Sequence, residues 1–125
     1  MDPHRIHHDI FEGPKRLEDP GDGKSIRVTE DLNICELVSA TAETRTLDDP
    51  LKPGIRLLVR MLTDGGTIVL YAANGLDVQL DTHATFADAD DLLELISVTK
   101  TVGEPPFTGV YRWQVLDSNI GVSLE

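Results

Sequence analysis

Gly54-Ile55-Arg56-Leu57-Leu58-Val59-Arg60-Met61-Leu62 decides the fold class of this chain. Ile55, Leu57, Val59 and Met61 occupy alternate positions, with Arg56 and Arg60 between them. Successive side chains of a strand point to opposite faces of its sheet, so the alternation predicts a strand with one buried face. Immediately after it, Gly66 to Ala73 reads as a second strand. The Asp64-Gly65 pair between the two reads as a hairpin turn, because glycine takes positive φ at no steric cost. Asn74-Gly75 is a second turn of that kind.

Upstream, strands are expected at Ser25–Val28, Asn33–Ser39 and Thr44–Leu47, the last ended by Asp48-Asp49-Pro50. Pro50 and Pro53 mark a loop, since proline has no ladder donor. Downstream, Asp77–Leu80 and His83–Ala87 read as short edge strands, Leu92–Thr99 and Val110–Leu116 as long ones, and Ile120–Leu124 as the last. Asp88–Ile96 has the acidic first turn of a helix, but Leu92, Glu94, Ile96 and Val98 alternate with Leu93, Leu95 and Ser97, which favours a strand. The expected fold is all-β, a small β-sandwich or barrel of about eight to ten short antiparallel strands.

Residues 1–24 differ from the remainder. Pro3, Gly13, Pro14, Pro20, Gly21 and Gly23 interrupt any regular element, and apolar residues are few. The segment is expected to be an extended N-terminal arm beside a single β domain of residues 25–125, and its deletion to leave the core whole. Ile6, Ile10 and Phe11 have no evident partner within the chain and are the candidate partner-docking residues.

The chain has 125 residues, enough for one core, with 22 acidic and 11 basic side chains and a formal charge of −11. No cluster of Lys and Arg is present to displace counterions from nucleic acid, and an anionic membrane would repel the chain. No apolar run reaches membrane-spanning length and Met1-Asp2-Pro3-His4 opens no signal peptide, so a soluble protein is expected. The single cysteine, Cys35, reads as a small buried residue.

Each candidate for chemistry has a plainer reading. Gly21-Asp22-Gly23-Lys24-Ser25 looks like the end of a phosphate loop, but Glu18 stands where the first glycine belongs and a strand follows. His4, His7 and His8 have helical spacing for zinc, yet Pro3 and Pro14 bracket them. Asp88-Ala89-Asp90-Asp91 lacks the glycine and glutamate of a calcium loop. A metal-dependent barrel enzyme needs three histidines on two strands, and the body holds only His83. The expectation is a non-enzymatic chain with no catalytic, cofactor or metal site. Tyr111 and Trp113 form one aromatic pair that sugar could stack on, with core packing the favoured role of Trp113.

Several stretches taken together carry a resemblance: Leu47-Asp-Asp-Pro-Leu-Lys-Pro-Gly54 running into Ile55-Arg-Leu-Leu-Val59, then Thr63-Asp-Gly-Gly-Thr-Ile-Val-Leu70. Phe86-Ala-Asp-Ala-Asp-Asp-Leu-Leu-Glu-Leu95, Tyr111-Arg-Trp-Gln-Val115 and Asn119-Ile-Gly-Val-Ser-Leu124 complete it. This order of turns and strands resembles small virion modules of tailed bacteriophages and prophages, particularly head decoration (cement) proteins. The resemblance implies a β-rich homotrimer on the capsid surface of the virion, made in the host cytoplasm, with the major capsid protein as partner and an arm reaching across neighbouring subunits. The alternative is a tail-fibre or spike module, or another carbohydrate-binding β-sandwich.

Overall fold

The computed structural model describes residues 13–63, 65–101, 104–105, 110–116 and 119–125. In chain order the strands are β1 (Lys15–Leu17), β2 (Lys24–Ile26), β3 (Leu32–Val38), β4 (Glu43–Leu47), β5 (Arg56–Thr63), β6 (Ile68–Tyr71), β7 (His83–Phe86), β8 (Leu92–Thr99), β9 (Tyr111–Val115) and β10 (Ser123–Leu124). They form two five-stranded sheets, ordered β1-β3-β5-β8-β9 and β10-β7-β6-β4-β2, packed face to face and not closed into a barrel. The all-β class and the sandwich are as the alternation indicated.

The connectivity is not. The chain changes sheet after each of its first five strands, so β1, β3 and β5 stack in one sheet while β2, β4 and β6 stack in the other. The pairings β1–β3, β3–β5, β2–β4 and β4–β6 are parallel. Residues 15–71 thus wind as three coils of a flattened helix, one strand per sheet per coil. Only then does the chain reverse, and β5–β8, β8–β9, β6–β7 and β7–β10 are antiparallel. Expecting antiparallel strands throughout was wrong for the first half, because alternation has the same period in both kinds of ladder.

The Asp64-Gly65 hairpin is likewise corrected: β5 and β6 lie in different sheets. The glycines serve a close approach between turns of successive coils. Ser39 Oγ donates to the Gly66 carbonyl (2.6 Å) and accepts from the Gly65 N–H (3.1 Å). A Cβ at Gly65 would overlap the Ser39 carbonyl, and one at Gly66 the Thr41 carbonyl. Both obstacles are backbone, so Gly65→Ala is expected to cost about 1–3 kcal/mol by forcing the turns apart. A lower urea midpoint at unchanged slope is the measurement.

Residues 13–24 belong to the sheets rather than to a free arm. Lys15–Leu17 pairs with Asn33–Cys35, Lys24 begins β2, and Leu17 packs against the core. Asp77–Leu80 is a turn closed by the Leu80 N–H on the Asp77 carbonyl, not an edge strand, and β7 lies inside its sheet between β6 and β10. Asp88–Ile96 carries no helix: Leu92 opens β8.

The inward residues of both sheets make the core. Cys35, Leu37, Leu57, Val59, Met61, Leu93, Leu95 and Trp113 come from one sheet, and Ile26, Leu47, Ile68, Leu70, Ala84 and Phe86 from the other. Trp113 is 1% exposed, and its indole N–H donates to the Asp48 carbonyl at 2.9 Å.

Candidate docking surface

The polar groups inside the sandwich act on the fold. Arg45 on β4 shares its inward face with Leu47, and its side chain is fully buried. The guanidinium grips Asp19 with two bonds, Nε–Oδ1 at 2.6 Å and Nη2–Oδ2 at 3.0 Å, and reaches Glu43 Oε1 at 2.9 Å. It also donates to the Val38 and Thr44 carbonyls, while Asp19 accepts the Val38 and Gly21 N–H groups. Burial alone would raise the Asp19 pKa, but the bonds from Arg45 and from those N–H groups outweigh it and hold the carboxyl below its ordinary range. The Ala40 N–H, then Arg45, lower Glu43 in the same way. This latch ties the β1–β2 turn to the β3–β4 turn. Sequence reasoning missed it, although Thr44-Arg45-Thr46-Leu47 carried the signal of a charged residue in phase with a core leucine.

The residues singled out for chemistry resolve into structural roles where they are described. Gly21–Ser25 turns directly into β2. Asp91 is buried and accepts the Ala87 and Asp88 N–H groups at 2.9 Å, closing the acidic turn, with its other oxygen against Gly121, where a Cβ would overlap it. Cys35 is enclosed, and burial, then the charge of Asp19, pushes its thiol up to about 12. Among the described residues no group of three or more His, Cys, Asp or Glu is placed to hold a metal ion. Burial of Trp113 removes the Tyr111–Trp113 pair as an exposed sugar platform. His4, Ile6, His7, His8, Ile10 and Phe11 lie outside the described residues.

Near the other end of the sandwich, a hydrogen bond with Asp77, then burial and the Asp77 charge, raise the Asp81 pKa. A raised carboxyl favours the folded state when protonated, and that contribution is lost as pH rises through it. Asp81→Asn is therefore expected to raise the melting temperature at neutral pH, with the gain vanishing on acidification through the carboxylate range.

What the fold builds outward is a surface. On the outer face of the β1-β3-β5-β8-β9 sheet the register lines up Arg16, Ile34, Leu58 and Glu94 in one row and Leu32, Arg56, Ile96 and Gln114 in the next. Glu36, Arg60 and Leu92 form a third row, and Val98 lies beside Arg112. No protein-family model matches the chain, and no curated protein does. The face must therefore be understood from its own chemistry.

Ile34, Leu58, Leu92, Ile96 and Val98 are half-buried by their neighbours, and Leu32 is 50% exposed. Ion pairs bridge the strands: Arg16–Glu36 (2.8 Å), Arg60–Glu36 (2.7 Å) and Arg56–Glu94 (2.8 Å). Four of the seven arginines of a −11 chain stand on this one face; Arg16, Arg56 and Arg60 are accessible, and Arg112 is buried against Glu104. At its β1–β3 border an open depression of about 780 Å³ is lined by Lys15, Arg16, Glu30, Asp31, Leu32 and Ile34, among others. An apolar floor beneath arginines already oriented by glutamates suits a partner that brings apolar side chains and carboxylates together.

Proposed function

We propose that this chain is a non-enzymatic assembly module of a virion, a head decoration protein that forms a homotrimer on the outer surface of a capsid. The observation that carries the reading is the outer face of β1-β3-β5-β8-β9, where half-buried aliphatic side chains lie beside three accessible arginines, Arg16, Arg56 and Arg60, held by Glu36 and Glu94 on an otherwise acidic molecule. Such a face is complementary to the acidic remainder of a second copy. Contacts between unlike patches are heterologous, and closing them by rotation produces a ring, for which a trimer is a common solution. The latch of Arg45 and the stacked turns suit a stiff module rather than one that must open to work. Ile6, Ile10 and Phe11 are proposed to engage the major capsid protein, in keeping with the arms of decoration proteins.

Light scattering on the purified chain is the direct test, with a trimer expected. Leu58→Asp, in the middle of the face, is expected to yield a monomer whose far-ultraviolet circular dichroism is unchanged. Mass spectrometry of particles released from cells carrying the gene is expected to find the chain with the capsid protein. A monomer at all concentrations, together with absence from such particles, contradicts the proposal.

A further inference from the structure

The opposite outer face, on β10-β7-β6-β4-β2, has different chemistry. Its register places Thr44, Val69, Thr85 and Ser123 in one row and Thr46, Tyr71 and His83 in the next. None of these is Asp, Glu, Lys or Arg, although such residues make up 26% of the chain. Glu125, which exchanges backbone bonds with His83, stands at the rim. Tyr71 is 39% exposed, and the His83 ring lies 5.1 Å from it, tilted by 49°. The His83 ring is steadied in turn by a 2.8 Å contact between its Nδ1 and Thr82 Oγ1.

We infer that this face binds a neutral polysaccharide laid across the strands, with the Tyr71–His83 pair as its apolar contact and the threonine and serine hydroxyls as its hydrogen-bonding partners. A pyranose ring offers C–H bonds on its faces and hydroxyls around its edge, and both halves of that pattern stand here on a flat sheet. Charge points the same way: the two rows from β4 to β10 carry no cation, and the nearest ionic groups, Glu125 beside His83 and the Asp22 carboxylate on the Thr44 N–H, are acidic and disfavour an anionic ligand. Size argues against a second copy of the chain. The strands here are only two to five residues long. The strands of the opposite sheet run to eight residues, so the larger face is the one suited to a second copy. The two outer faces point in opposite directions, so a molecule assembled through the β1-β3-β5-β8-β9 face keeps this one open. The inference does not depend on the proposed assembly, since adsorption can be measured on trimer or monomer alike.

The test is adsorption of the purified chain to microcrystalline cellulose, chitin and starch granules, with alginate gel as the anionic control. Retention on at least one neutral polysaccharide, insensitive to added salt, is expected. Tyr71→Ala and Thr46→Asp are each expected to weaken it by about tenfold or more while the melting temperature changes little. Leu51→Asp, in the exposed connection between β4 and β5 and on neither outer face, is expected to leave it unchanged. The inference fails if none of the three neutral polymers retains the chain, if retention survives Tyr71→Ala, or if it disappears with salt. It also fails if Thr46→Asp converts an oligomer into monomers, an outcome that assigns the face to a second copy.

Discussion

Removal of residues 1–24 is expected to abolish cooperative unfolding. The deletion takes away β1, the packing of Leu17 on the core and, above all, Asp19. Arg45 would then remain buried with Glu43 as its one charged partner. Breaking a buried ion pair from one side costs about 3–5 kcal/mol, against a total stability of about 5–15 kcal/mol for a domain. Asp19→Ala alone is expected to cost about 3 kcal/mol, the lower end of that range, because Glu43 still faces the guanidinium. The latch also sets a pH dependence. Asp19 and Glu43 both titrate below their ordinary range, so their stabilisation is complete above that range and is lost as the pH falls from it down through their lowered values. Wild-type melting temperature should therefore drop on acidification, and Asp19→Ala should flatten the drop. Deletion of residues 1–12 leaves all these contacts in place and should preserve the cooperative transition. Thermal denaturation followed by circular dichroism separates the cases. A sharp, near-wild-type melt after deletion of residues 1–24 would show that the first coil is dispensable.

Trp113→Ala is expected to destabilise the chain by roughly 3–5 kcal/mol. Trp113 is among the largest fully buried side chains, and it sits opposite Ser97 on β8. Its truncation leaves a cavity and deprives the Asp48 carbonyl of the indole donor. That bond fastens the β4–β5 connection to β9, so the loss loosens a loop as well as the core. Trp113→Phe keeps most of the volume but loses the N–H and leaves a smaller void, at about 1–3 kcal/mol. Denaturant midpoints of the two variants resolve these contributions. Equal midpoints for Trp113→Ala and wild type would mean that the ring is not part of the core.

The outer faces were only partly legible. Arg56, Leu58 and Arg60 could be assigned together to the side of β5 opposite Leu57 and Val59 from their spacing alone. That Arg16, Glu36, Glu94 and Arg112 join them depends on which strands are neighbours, and neighbours are set by sheet order. The threonine face is a sharper case. Thr44, Thr46, Tyr71 and Thr85 lie up to 41 positions apart, and only the β4–β6–β7 register makes a surface of them.

The sequence by itself determined the all-β class, most strand positions and the inward face of each strand, because period-two alternation is a local consequence of the pleat. It also marked Trp113 as core through its phase with Tyr111 and Val115. Tertiary structure alone decided that the first six strands coil in parallel between two sheets, since parallel and antiparallel ladders impose the same alternation. It decided too that Gly65 serves a close approach of turns 26 residues apart rather than a hairpin. And it decided that residues 13–24, poor in apolar side chains, still belong to the body. What holds them there is a buried Arg45 reaching Asp19 across 26 positions, a long-range charge contact that no local pattern encodes.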